Sequence, residues 1–215
     1  MLSHSKSLWL SLALAVLGPV AVSANPLNGT WTVDQALSAT LESAADARNK
    51  ELKEEYRRNK KQKFSKDEQR NRGGDRFQAQ LMATEGMIRE NDLDIDWGGP
   101  PEVREMLAAR TIKLYQASKA VILYDGGRRR MLAINPAGKA YSVSGTEVNE
   151  DEIGRSLAYV DDGALVVETD IYNGDKVIER FASAEGSNEL TVRIQLQEGR
   201  RSPLLEYERV FRRAD

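Results

Sequence analysis

The sequence predicts a mainly β protein with an α insertion: an antiparallel up-and-down β-barrel with a helical insertion between its first and second strands. Three observations predict it. Short apolar segments recur between turn signals from Arg110 to Arg213. Leu190, Val192, Ile194 and Leu196 alternate with Thr191, Arg193, Gln195 and Gln197, the pattern of a half-buried antiparallel strand. Residues 34–109 are instead charged, and their apolar positions recur near helical spacing. A long meander tends to close, because closure removes exposed edges. With Gly29–Val33 as the first strand the count is about ten, near that of small ligand-holding barrels.

Residues 1–24 read as a signal peptide. Lys6 supplies a positive start, Leu8 to Val22 is apolar, and Val22-Ser23-Ala24 is the small-x-small pattern of a cleavage site. Cleavage after Ala24 leaves Asn25 as the terminus of an exported protein, periplasmic or else secreted. A retained anchor is disfavoured, since a span needs about 20 apolar residues and Gly18-Pro19 interrupts this stretch. No transmembrane anchor is expected after cleavage. No cysteine follows the cut, which excludes a lipid-modified terminus.

Residues 25–33 supply the first barrel strand, and the charged helical insertion spans 34–109. Asp34 is placed as the helix cap, with Leu37, Leu41, Ala45, Leu52 and Tyr56 near helical spacing. From Arg57 to Arg76 the one large apolar residue is Phe64, too little to offset the entropy of ordering. That stretch, 57–76, reads as a solvated helix or a flexible excursion. Ser65 with Glu68 fits a capping box at which helix restarts, Gly73-Gly74 interrupts it, and Phe77, Leu81, Met82 and Ile88 mark a second amphipathic stretch. Pro100-Pro101 opens a short helix that buries Val103 and Leu107. The barrel proper is 110–215, with strands expected at 111–115, 120–124, 130–134, 140–144, 153–160, 164–172, 177–182, 190–197 and 204–212. Asn173-Gly174 is the strongest hairpin signal, because both residues tolerate positive φ.

Composition removes several chemistries. The chain has no cysteine, and its one histidine, His4, leaves with the signal. The mature protein therefore has no imidazole or thiolate for a catalytic triad or for zinc and copper ligation. Without Lys6 the balance is 30 basic against 33 acidic residues, unlike the basic excess of a nucleic-acid binder. No cofactor, metal or nucleic acid is expected. Catalysis would have to rest on carboxylates, Lys, Tyr or an oxygen-ligated metal, so the reading leans away from an enzyme.

Leu27–Asp34, L-N-G-T-W-T-V-D, resembles the opening of a group of uncharacterised bacterial exported proteins that are lipocalin-like. Asp125–Arg130, Gly163–Thr169, Glu179–Phe181 and Arg209–Arg213 are similar to their later strand and turn segments. The resemblance covers Leu27–Asp34 and the chain from about Arg110, and omits 38–99. It implies a calycin-type barrel. In such barrels a G-x-W strand packs against an arginine of the last strand across the base. Gly29, Trp31 and Arg209 would fill those structural places. The resemblance implies no particular ligand.

Tyr115, Tyr124, Tyr141, Tyr172 and Tyr207 are the candidate ligand-lining residues, each offering an apolar face and one hydroxyl; ordinary barrel packing is the plainer account of them. The basic run Arg57–Lys63 suits an anionic surface or an acidic partner, against a solvated helix face paired with Glu51, Glu54 and Glu55. Asp92, Asp94 and Asp96 are a poor calcium loop: the glycine comes one place late and Val103 stands where a bidentate glutamate is needed. Glu168, Asp170 and Glu179 could pair as acid and base, or be solvent-facing strand residues paired with Lys176 and Arg180. The leading expectation is a non-catalytic exported protein holding a small apolar or amphipathic ligand in the barrel. The alternatives are an envelope protein-interaction module working through the insertion and a carboxylate-based glycan hydrolase.

Overall fold

A computed structural model describes residues 25–70, 97, 99–139, 148–199 and 204–214, with side chains described throughout except at 62–70. Residues 1–24, expected to be a signal peptide, residues 71–76, the stretch from Phe77 to Ile88, the Asp92–Asp96 run and the strand expected at 140–144 with Tyr141 lie outside the described residues.

In chain order the elements are β1 (Gly29–Val33), α1 (Leu41–Arg70), α2 (Pro101–Ala108), β2 (Thr111–Gln116), β3 (Lys119–Tyr124), β4 (Arg129–Asn135), β5 (Asn149–Glu150), β6 (Gly154–Asp161), β7 (Ala164–Ile171), β8 (Lys176–Ala182), β9 (Glu189–Gln197) and β10 (Leu204–Arg213). Both helices among the described residues thus fall between the first and second strands. β1 pairs antiparallel with β2 on one side and β10 on the other, and the remaining neighbours follow as antiparallel hairpins. The ring closes where β4 meets β6 through Ile134–Ala158 and Asn135–Tyr159. Among the described residues nine strands form the closed barrel, and two-residue β5 hangs on β6. The closing seam is parallel, which corrects the expectation of an antiparallel barrel throughout. β5 runs antiparallel to β6 and is too short to fill the place between β4 and β6, so these two strands, which run the same way, pair directly.

The inward faces follow the period of two. Leu190, Val192, Ile194 and Leu196 of β9 are buried, as are Val177 and Phe181 of β8 and Leu205, Tyr207 and Phe211 of β10. Trp31, Leu114, Ile122, Leu132, Leu165, Phe181, Leu190 and Phe211 are wholly buried in one continuous cluster. The lumen is therefore a packed core filled by side chains.

The base closes around β1. Trp31 Nε1 donates to the Leu27 carbonyl at 2.9 Å, and buried Leu27 folds beneath it. The Arg213 guanidinium lies over the Trp31 ring, 4.2 Å from its centroid, and donates to the Asn28 and Pro26 carbonyls at 2.7 and 3.0 Å. Gly29 has φ +154°, and a Cβ there would sit 2.5 Å from Arg213 Nη1. A side chain at 29 would push the arginine off the indole. The β1–β10 register, Trp31 opposite Arg213, decides the partner. Arg209, the residue expected at this place, sits earlier on β10 and does other work at the opposite end.

That opposite end is covered by the helices. α1 begins at Leu41, not after Asp34. Thr40 is the cap: its Oγ1 accepts from Ser43 N at 3.1 Å, and Ser43 Oγ accepts from Thr40 N at 3.1 Å. Asp34 instead closes a local turn by accepting from Ala36 N, which leaves Leu37 exposed. Leu41, Ala44, Ala45 and Leu52 pack on the core. From Lys53 to Lys61 every residue is half-buried or exposed. The helix runs unbroken to Arg70, through Ser65, where a restart was expected. α2 buries Val103, Met106 and Leu107, and Trp97 Nε1 donates to Asn49 Oδ1, tying the approach of α2 to α1.

Candidate functional site

Under α2, strands β4, β6, β7 and β8 turn charged or polar side chains into the barrel. Arg130 shares the inward face of β4 with Leu132, and Glu179 shares that of β8 with Val177 and Phe181. Buried Arg130 is gripped from all sides. Its Nε donates to Asp151 Oδ2 at 3.0 Å, Nη1 to Glu179 Oε2 at 3.3 Å, and Nη2 to Ser156 Oγ at 2.5 Å and Thr169 Oγ1 at 3.1 Å. Tyr124 Oη donates to Glu179 Oε1 at 3.2 Å. Burial pushes the Glu179 carboxyl above the usual carboxylate range, against the pull of Arg130 and the Tyr124 hydrogen bond. Burial works against the charged form of Arg130 too, but the facing Tyr124, Glu179 and Asp151 outweigh it and its pKa is raised. Such a satisfied network holds one arrangement of strands. Asp151 and Glu179 share one guanidinium, with Arg130 Nε donating to the first and Nη1 to the second.

Arg209 works beside this network. Its Nη1 and Nη2 donate to the Leu107 and Ala109 carbonyls at 2.6 and 2.7 Å. It thereby satisfies the C-terminal carbonyls of α2 and locks the helix over the barrel mouth. Its guanidinium also lies over the Phe211 ring, 5.0 Å from the centroid.

A cleft of about 230 Å3 opens at the rim of the mouth, lined by Glu105, Met106, Tyr124, Arg128 and Glu152 among others. Arg128 bridges Glu152 and Glu105 across it. A shallower groove of about 470 Å3 lies at the other end, between the Asp162-Gly163 turn and Ser183-Ala184.

The candidate tyrosines do not converge. Tyr124 is inside, at the rim cleft. Tyr207 is inside but beneath α1. Tyr115 is 51% exposed and Tyr172 60% exposed, both outside the lumen; Tyr172 Oη instead donates to Glu150. Neither can line the barrel interior, because strand parity turns Tyr115 outward and a hairpin carries Tyr172. Tyr141 lies outside the described residues.

Tyr207 Oη is buried with no hydrogen-bond partner among the described residues, and burial raises its pKa. A buried hydroxyl without a partner is unfavourable. Tyr207→Phe is therefore expected to leave stability unchanged or raise it by up to about 1 kcal/mol. Urea unfolding measures this, and a loss larger than that would show the hydroxyl to be bonded.

The strand carboxylates separate by face. Glu168 sits on the outside of the barrel, buried among Leu157, Tyr159 and Val166. It accepts from Tyr159 Oη at 2.8 Å and pairs with Lys139 and Lys176 at 2.7 and 3.2 Å. Burial opposes its ionisation, but the hydrogen bonds from Lys139, Tyr159 and Lys176 outweigh it and hold the carboxyl below the usual range. Asp170 is exposed on the same face, so neither acid can reach Glu179 across the sheet. Among the described residues no group of three acidic, histidine or cysteine side chains could hold a metal, and no helix is long and apolar enough to cross a membrane.

Arg130, Asp151, Ser156 and Thr169 were not singled out by sequence. One signal pointed to Arg130: it has the same parity as Leu132, so an inward Leu132 requires an inward Arg130.

No protein-family model and no curated protein matches the chain. Among solved structures it is similar to secretory abundant heat soluble protein 4 from Ramazzottius varieornatus. The identity is 9% and the TM-score 0.40, over 90% of this chain and 98% of that one. A likeness of that size assigns neither fold family nor function.

Proposed function

We propose that this is an exported, non-catalytic binding protein of the cell envelope, a lipocalin-like barrel of calycin type that works through helix α1 outside the barrel. The calycin reading is supported by Gly29-x-Trp31 on the first strand under an arginine of the last, Arg213. The binding reading is carried by one contrast. The lumen is filled by wholly buried side chains, whereas α1 runs from Lys53 to Lys61 without a buried residue. A helix that is polar all round does nothing for the core. A photo-crosslinking residue in place of Asn59 tests this in the host. Adducts with an envelope component are expected from position 59 and not from Lys113 on the exposed face of β2. Absence of adducts at 59 would overturn the reading.

The rim cleft favours a second reading, a small amphipathic ligand seated against Met106 and the Tyr124 ring. Native mass spectrometry of protein from its own host decides it. A bound small molecule lost on Tyr124→Ala supports this site, and a mass equal to the bare chain rejects it.

A further inference from the structure

We infer that the middle of α1 is a docking surface for a flexible, linear polyanion, a carboxylate- or phosphate-bearing polymer. The inference rests on the reading of α1 as the working surface and names its partner. Five of the seven residues from Arg57 to Lys63 are basic and none is acidic, which leaves 26 basic against 33 acidic residues in the rest of the chain. The protein is therefore an acidic body carrying one concentrated basic segment. At about 1.5 Å rise per residue, those seven residues span roughly one Debye length in physiological salt, about 8 Å. The charges act together.

The centre of this segment is not neutralised by its own helix. The neighbours of Lys60 three and four places away are Arg57, Tyr56, Lys63 and Phe64, and those of Lys61 are Arg58, Arg57, Phe64 and Ser65. No carboxylate is among them. Lys60 and Lys61 are exposed, and no salt bridge reaches either among the described residues. Lys60 rests near the Tyr56 ring, 6.0 Å from its centroid. Arg58 with Lys61 is a like-charge pair at helical spacing, which weakens an isolated helix. A bound anion would relieve it.

The arrangement selects among anionic partners. At about 100° per residue, positions 57, 58, 60, 61 and 63 are distributed around most of the helix. A planar bilayer would meet only some of them, and the segment offers no apolar face for insertion. A folded protein partner would need a buried aromatic or arginine anchor in a pocket, and from Arg57 to Lys61 the side chains are exposed. A flexible chain can wrap a basic cylinder and reach every charge.

Three probes test this on the mature chain: inorganic polyphosphate, polygalacturonate and vesicles containing anionic phospholipid. Both soluble polymers are expected to bind, with affinity falling steeply as salt rises, and to increase helical circular dichroism. Vesicles at equal anionic charge are expected to bind more weakly. The variant Arg58→Gln/Lys60→Gln/Lys61→Gln should bind both polymers at least about tenfold more weakly, with a shallower salt dependence and an unchanged melting temperature. Equal polymer binding by wild type and variant would overturn the inference, as would vesicles binding more tightly than either polymer. Cross-links from position 59 to a protein that persist in the triple variant would also overturn it, while leaving α1 as the working surface.

Discussion

Arg130→Met is expected to lower the unfolding free energy by about 3–5 kcal/mol, the cost of leaving a buried ionic group without its partner. The substitution keeps much of the side-chain volume, so little of the loss comes from a cavity. What it removes is the donor shared by Glu179, Asp151, Ser156 and Thr169. Urea unfolding of single and double variants separates the terms. Arg130→Met/Glu179→Met should recover most of the loss, since apolar replacement of a whole buried pair is often neutral. The pH dependence has a definite sign. Burial raises the Glu179 carboxyl in the folded state. That group therefore contributes stability below its unfolded value, about 4.3, and the contribution fades as pH rises through the raised folded value. Without Arg130 the carboxyl rises further, so the variant should be closest to wild type in acid and fall away towards neutral pH. A single-variant loss under about 1 kcal/mol, well below the range for a broken buried pair, would refute the description of the mouth as a satisfied ionic network.

Most of the strand pattern was legible because each inward face announces itself by alternation. Leu190 to Leu196 is the clearest case, and β9 covers it. The short helix after Pro100 was legible from its prolines, and it buries Val103 and Leu107 as expected. Three things were not legible. The seam between β4 and β6 joins strands in parallel, and nothing in local periodicity states which non-consecutive strands meet. The start of α1 was misplaced because Asp34 and Thr40 both carry capping oxygens, and only the fold shows that residues 34–39 are needed to cross from β1. The Ser38 hydroxyl fixes that crossing by bonding the Val210 backbone of the last strand, a contact that no local pattern announces. The interior charges were hidden for a different reason. Parity places Arg130 and Glu179 on apolar faces, but a preference for charged residues at the surface outweighs parity unless a partner is in view. Ser156 and Glu179 lie 26 and 49 residues from Arg130 in sequence.

Trp31→Ala is expected to destabilise the protein by about 3–5 kcal/mol, the range for removing a buried large aromatic. The ring is wholly buried and bonded to the Leu27 carbonyl, so its loss opens the base and frees the segment 25–28. Arg213→Ala should cost less, about 2 kcal/mol, from the cation–π contact and two hydrogen bonds to carbonyls. Arg209→Met provides the contrast, because sequence alone could not choose between the two arginines. Both have inward parity on β10, and either could reach an indole across a closed base. The register puts Arg213 opposite Trp31 and leaves Arg209 to hold the Leu107 and Ala109 carbonyls. Hydrogen exchange resolves the two roles. Arg213→Ala should speed exchange in β1 and leave α2 protected, and Arg209→Met should do the reverse. Were Arg209→Met to expose β1 while α2 stayed protected, the arginine of the base would be Arg209, and the assignment of the two ends of the barrel would have to be exchanged.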